Sequence, residues 1–180
     1  MPRGIAKDHD AKRRALRRGA AAYFAQHGFD RASMTGVASE CGVSKALLYH
    51  YYANKESLLH DILDAHLSAL AAVAREAAPQ GLRALIGAIL MAYEDADAEH
   101  KLQLEALHLL PDDQRAPLIA LQRELVALMS GAVAEARPSL SADQLRAAAM
   151  TVFGILNWVY MWHRPTKGMS CQAYADFAAD

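Results

Sequence analysis

Four prolines set the frame of this chain. Pro79, Pro111, Pro138 and Pro165 stand in the gaps between segments whose apolar residues recur at helical spacing. Proline lacks the N–H that an interior helix position donates, and its ring collides with the preceding turn, so each marks a place where a helix stops. Between the stops alanine dominates, at 38 of 180 positions, and no stretch alternates polar with apolar residues. An all-α fold of about nine helices follows. The expected spans are 10–27, 35–40, 44–51, a long helix capped by Asn54 and reaching Ala78, then 81–97, 99–110, 113–136, 141–163 and a last helix from about Ser170. The first helix carries the stripe Leu16, Ala20, Tyr23, Phe24 and His27 and stops at Gly28. Pro117 falls inside 113–136, so that helix is expected to start nearer Ala116, with proline in its first turn. The last helix meets no stop signal before Asp180, where the chain is expected to be clipped.

The net charge of −1 hides a division. Residues 1–60 hold ten Lys/Arg and five Asp/Glu, a balance of +5, while residues 61–180 hold nine and fifteen, a balance of −6. A basic head on an acidic body marks the head as the part that meets a polyanion. Other classes fall away. Cys41 and Cys171 make neither a disulfide framework nor a CxxC site, and Cys41 reads as a small packing residue. The charged start MPRGIAKDHDAKRR lacks the apolar stretch of a secretory signal, and the most apolar run, 147–162, is short for a membrane span. A cytoplasmic protein with no membrane partner is expected. There is no GxSxG, GxGxxG, Walker or HExxH pattern, so no enzyme, cofactor or metal is expected. His60 with Asp64, and Asp61 with His66, lie about one turn apart on the fourth helix. Glu94, Asp95, Asp97 and Glu99 crowd a helix junction. Exposed polar helix faces and a solvated cap explain these groups better than a metal site.

The head carries the strongest signal. Residues 34–51, MTGVASECGVSKALLYHY, read as two short helices joined by a tight turn at Cys41-Gly42-Val43. Ala38 lets the helices cross closely, Gly42 adopts a left-handed conformation without a Cβ penalty, and Val37, Val43 and Leu48 form the small core beneath. This is a helix-turn-helix arrangement, whose second helix enters the DNA major groove. In one register with it stand Phe24, Gly28 and Phe29 at the end of the first helix, Thr35 opening the second, Gly42-Val43-Ser44-Lys45, Leu48-Tyr49-His50-Tyr51, and Asn54-Lys55-Glu56. With these features residues 10–60 resemble the DNA-binding domain of TetR-family transcriptional regulators. The resemblance implies a three-helix DNA-binding domain over 1–55 and a helical ligand-binding and dimerisation domain over 56–180. Leu47, Tyr52 and Ala53 depart from the commonest family pattern, which leaves the operator sequence open.

The candidate DNA contacts are Arg31, Thr35, Ser44, Lys45, Ala46, Leu47, Tyr49, His50 and Lys55. Thr35 and Ser44 lie at helix N-termini, where hydroxyls and free N–H groups suit phosphate. Lys45 reaches a guanine edge or a phosphate, and Leu47, without a hydrogen-bonding group, suits a thymine methyl. The resemblance makes Tyr49 and His50 groove or phosphate contacts and Lys55 a backbone clamp. Arg31 and the basic cluster 12–18 add non-specific attraction. Tyr51 and Tyr52 read as core.

In the body, Trp158 and Trp162 share a helix face, while Phe153, Leu156, Val159 and Tyr160 carry apolar surface around much of the same helix. Such a helix needs burial on more than one side. The candidate dimer contacts are Leu125, Leu128, Phe153, Trp158 and Trp162. The resemblance implies a homodimer on double-stranded operator DNA, built by a four-helix bundle of 116–136 and 141–163; filling of the monomer core is the alternative role for the two tryptophans. Met91, Tyr93, Leu104, Leu107, His108, Met129 and Phe153 are candidate linings of a small-molecule cavity, each also readable as ordinary core. Gly87 and Gly131, inside helices, mark close packing or space for a ligand. GILNWVYMWHRP (154–165) is similar to the C-terminal helix of TetR-type regulators of fatty-acid, aromatic or steroid catabolism, some of which answer to acyl-CoA thioesters. An acyl-CoA effector would use cations for its phosphates, from Arg83, Arg115, Arg123, Arg146 and Arg164; a neutral or cationic apolar effector is the alternative.

Overall fold

The computed structural model describes residues 3–163 and 168–178; Arg164, Pro165 and Asp180 lie outside the described residues. Among the described residues there are nine α-helices: α1 (Arg3–His27), α2 (Met34–Glu40), α3 (Lys45–Tyr51), α4 (Lys55–Ala77), α5 (Leu82–Tyr93), α6 (Asp97–Glu105), α7 (Asp112–Ala136), α8 (Ala142–Trp162) and α9 (Cys171–Ala178). Short 3-10 turns follow α4 at Ala78–Gln80 and α6 at Leu107–Leu109. The all-α architecture expected from the sequence is the one observed.

Helix α1 starts at Arg3 rather than at residue 10, and three further boundaries differ from expectation. The span 81–97 ends at Tyr93, because Glu94 and Ala96 donate back only three residues, to Met91 and Tyr93, which tightens and closes the helix. The span 99–110 is α6 followed by a separate 3-10 turn. Helix α7 starts at Asp112 rather than near Ala116, since the Pro111 carbonyl already accepts from Gln114 and Arg115 at 3.1 and 2.8 Å. Asp112 and Asp113 then favour the positive end of the helix. Pro117 sits inside α7, and its missing N–H is the one the Asp113 carbonyl would receive.

The chain forms two compact units. The first takes Met1–His66 and Ala98–Ala116, the second Leu67–Asp97 and Pro117–Asp180. In the first, Leu16, Ala20 and Phe24 of α1 are buried, whereas Tyr23 is half-buried and His27 exposed. Phe24 meets Phe29 edge-on, with ring centres 5.2 Å apart, across the turn that Gly28 makes at φ +80. Ser33 caps α2 by accepting from the Gly36 N–H at 3.1 Å. A Cβ on Gly36 would stand 2.0 Å from the Tyr23 hydroxyl, so glycine here leaves room for the Tyr23 phenol of α1 against α2. Lys101 of α6 donates to the Ala25 carbonyl at 2.9 Å, placing a cation at the negative end of α1.

In the second unit α5 buries Leu85, Ile86, Ile89, Leu90 and Tyr93. Gly87 faces α9, where an added Cβ would meet the Ala175 methyl at an ordinary contact distance of 3.8 Å; Gly131 and Gly154 face open space. Arg83 donates to the Asp176 carbonyl at 2.9 Å, and the Tyr93 hydroxyl donates to Asn157 Oδ1 at 3.2 Å, tying α5 to α9 and α8. Ser141 and Gln144 close a reciprocal cap at the start of α8. Helices α4 (continued to Gln80) and α7 are long and apolar enough to cross a membrane by length and composition. In α4 that apolar character is used for core packing by Leu58, Leu59, Ile62, Leu63, Leu67 and Leu70. Midway along α7, Glu124 accepts from Nε and Nη2 of Arg75, at 2.5 and 2.7 Å.

Candidate nucleic-acid interface

The turn between α2 and α3 is built on Gly42. Its φ is +64, the Gly42 N–H bonds the Ser39 carbonyl at 3.1 Å, and the Val43 N–H bonds the Ala38 carbonyl at 3.0 Å. That pair of bonds is a Schellman motif, which satisfies the last carbonyls of α2 and redirects the chain. Ser44 then caps α3, its hydroxyl accepting from the Leu47 N–H at 3.1 Å. Cys41 packs beneath, with Sγ 3.8 Å from the Leu16 carbonyl and 2.7 Å from where a Gly19 Cβ would stand. Burial, with Glu40 adding to it, pushes the Cys41 thiol up, so it stays protonated as a packing group.

Helix α3 is held by one fully buried side chain, Leu48. Lys45, Ala46, Leu47, Tyr49 and His50 are all exposed, as are Ser44, Thr35 and Arg31. Tyr49 is 45% and Leu47 36% exposed, a large apolar surface for so short a helix. The Lys45 ammonium lies 5.7 Å from the centre of the Tyr49 ring, so the two side chains form one charged, aromatic edge. Tyr51 is half-buried, stacked on His9 at 4.7 Å, and Tyr52 is buried.

Behind α3 lies a polar knot that the sequence did not announce. The Asp61 carboxylate on α4 accepts from Arg13 Nε and a second Arg13 nitrogen at 2.9 and 2.6 Å, from Arg17 at 3.4 Å, and from the Tyr52 hydroxyl at 2.6 Å. Asp61 and His66 are therefore buried, not part of the exposed face expected of α4. Two members of the basic cluster 12–18 turn inward to Asp61. The carboxylate holds the Arg13 guanidinium above its ordinary range, and burial, reinforced by Asp61, raises the Tyr52 phenol. His66 is pushed down to about 4, first by burial and then by the charge of His100, whose ring centre is 6.1 Å away. Lys55 is also turned to the protein: its ammonium donates to the Phe29 and Asp30 carbonyls at 3.1 and 3.2 Å and sits 4.5 Å from the Phe29 ring. Two of its three protons are spent there.

The remaining site residues are distributed as follows. Leu104 and His108 are exposed and Leu107 buried, all in the first unit; in the second, Met91 is exposed while Tyr93, Met129 and Phe153 are buried. Met91 lines an open groove of about 510 Å³ with Val73, Glu76, Ala77, Gln80, Ala84, Ala88 and Ala92. Tyr93 lines a pocket of about 40 Å³ with Glu94, Asp97, His163 and Cys171, where burial, helped by Glu94 and Asp97, raises the Cys171 thiol. Among the described residues no group of three or more His, Cys, Asp or Glu is arranged to hold a metal. Of the dimer candidates, Leu125 and Phe153 are buried within the unit, Leu128 is half-buried, and Trp158 and Trp162 are 61% and 51% exposed. With Met150, Ile155 and Met161 the two tryptophans form an apolar face along α8.

Comparison with known proteins decides the family. The profile of bacterial regulatory proteins of the tetR family matches residues 16–62, and that of the tetracyclin repressor-like C-terminal domain matches residues 75–180. The chain belongs to the TetR family. Its members are DNA-binding regulators rather than enzymes, and this chain is a DNA-binding TetR-family regulator with an N-terminal helix-turn-helix and a C-terminal ligand-binding domain. It is 30% identical over 167 residues to the HTH-type transcriptional repressor KstR2 of Rhodococcus jostii, covering 87% of this chain and 81% of the relative. The crystal structure of a TetR-family regulator from Bordetella parapertussis superposes with a TM-score of 0.87 at 32% identity, over 93% of this chain and 91% of that one. AibR, solved in complex with isovaleryl coenzyme A and operator DNA, shares the fold, with a TM-score of 0.80 at 22% identity over 93% and 96% of the two chains.

Proposed function

We propose that this TetR-family regulator is a cytoplasmic repressor, a homodimer that holds a palindromic operator and releases it on binding a small-molecule effector, an acyl-CoA thioester or an aromatic catabolite. The observation that carries the reading is the exposure of α3: every side chain from Lys45 to His50 except Leu48 faces out, on a helix whose position is fixed by a capped turn. The head, 1–55, supplies the DNA contacts, with Lys45, Ala46, Leu47, Tyr49 and His50 at the groove and Arg31, Thr35 and Ser44 toward the backbone, where Lys55 has one proton left to give. Two such heads must stand about 34 Å apart to enter successive major grooves, which a two-fold dimer provides.

The body, 56–180, supplies the dimer and the effector site. The exposed face of α8 gives the dimer its apolar centre through Trp158 and Trp162, and Leu125, Leu128 and Phe153 are the other proposed contacts. The relative in Rhodococcus jostii, named as a repressor, supports the direction of control. Arg123 and Arg146 are exposed cations on α7 and α8 for an effector's phosphates, whereas Arg83 and Arg115 are bonded to Asp176 and Asp112. Effector binding acts through α4, which runs from the head into the body. It shifts the operator equilibrium only by the difference in its affinity for the two states. Fluorescence anisotropy of the full chain on duplex from its own upstream region, titrated with acyl-CoA thioesters and free aromatic acids, tests this. Release by one thioester class is expected; tight binding that no thioester disturbs would remove the CoA reading.

A further inference from the structure

We infer that α3 reads its half-site through thymine methyl groups, with Leu47 as the residue that sets this specificity; the inference rests on the operator-binding role proposed above. At about 100° per residue, and with Leu48 pointing inward, Ala46 and His50 lie opposite the core while Leu47 and Tyr49 flank them. The surface that a major groove would meet is therefore Leu47, His50, Ala46 and Tyr49, with Lys45 at the edge over the Tyr49 ring. From Lys45 to Tyr51 the helix holds no Arg, Asn, Gln, Asp or Glu. The arginine fork for guanine, the amide pair that recognises adenine and the carboxylate that accepts from cytosine are absent from it, which leaves Lys45, at the edge of this surface, as its one cation for a guanine.

What the helix does present is aliphatic. Leu47 is 36% exposed, and Ala46, across His50 on the same face, is exposed and offers only a methyl group. The C5-methyl of thymine is the apolar group on the major-groove edge of a base pair. Leu47 set against any other edge would desolvate base donors or acceptors and give no hydrogen bond in return, which costs affinity. Leu47 against a methyl gains by burial instead. The half-site thus carries thymine opposite Leu47. Lys45, Tyr49 and His50 add single hydrogen bonds.

The experiment starts from duplexes enriched by the full-length protein out of a random-sequence pool. Each thymine of the half-site is replaced singly by uracil, which deletes the methyl and keeps every base-edge donor and acceptor. Anisotropy titrations are run with the wild type and with Leu47→Ala, an exposed position on a helix that alanine suits. Uracil at one or two positions is expected to weaken the wild type about fourfold each, the equivalent of one buried methyl group. The same replacement should leave Leu47→Ala unchanged. An enriched duplex that tolerates uracil throughout, or one that loses equal affinity with both proteins, would overturn the methyl readout while leaving the regulator intact. Failure to enrich any duplex would overturn both.

Discussion

Gly42 holds a backbone that other residues enter only under strain. A Cβ there meets nothing within 4 Å, so the cost of a substitution is conformational alone. Gly42→Ala is expected to lower unfolding free energy by about 1 kcal/mol, measured by urea denaturation. His66 makes a separate prediction. Its folded value of about 4 lies below the ordinary 6.5, so between these pH values the unfolded chain binds more protons than the folded one. Stability should be level above pH 6.5, fall as pH drops from 6.5 toward 4, and lose no more to this group below 4. The loss should approach about 3 kcal/mol, and His66→Gln should flatten that slope in denaturation curves taken across the interval. Gly42 was legible because the need for a left-handed residue is local to the turn. Asp61 and His66 were not, because their partners lie far off in the chain: Arg13 is 48 residues from Asp61, and His100 stands on another helix. A carboxylate one turn from a histidine reads as solvated surface until the guanidinium that neutralises it is in view.

Among the elements, α3 depends on Leu48 more than on its own propensity, since seven residues are too few to be helical alone. Leu48→Ala should cost about 2–4 kcal/mol and take duplex binding with it. Leu47→Ala should leave the melting curve in place. Asp61 joins α4 to α1 and to Tyr52 just past α3, so it positions the reading helix on its supports. Asp61→Asn leaves the half-exposed Arg13 and the partly buried Arg17 with a weaker partner. It should destabilise the head by about 1–2 kcal/mol and weaken DNA binding more than Tyr52→Phe, which keeps the ion pair. Helix order was readable from periodicity and proline, and so were the ends of α1, α2, α3 and α7, whereas the end of α5 and the start of α7 were not. The end of α5 is set by three-residue hydrogen bonds and the start of α7 by the Pro111 carbonyl, and neither has a residue-type signature.

For the whole molecule, the sequence pattern pointed to an apolar helix needing two burial partners, and α8 has that form: Ala149, Phe153, Leu156 and Val159 face its own unit, and Trp158, Met161 and Trp162 face outward. Replacing Trp158 and Trp162 together by glutamate should shift sedimentation from dimer to monomer and weaken operator binding, since one head makes half the contacts. The most direct test of the account is the salt dependence of duplex binding by wild type, Lys45→Ala and Tyr49→Ala, on a duplex enriched by the protein itself. The wild type should bind tightly with a steep decline in log K against log salt; Lys45→Ala should bind more weakly with a slope shallower by about one, and Tyr49→Ala should lose affinity. Binding no tighter than to random duplex, or affinity and slope untouched by both substitutions, would contradict a reading surface on α3 and with it the regulator proposed here.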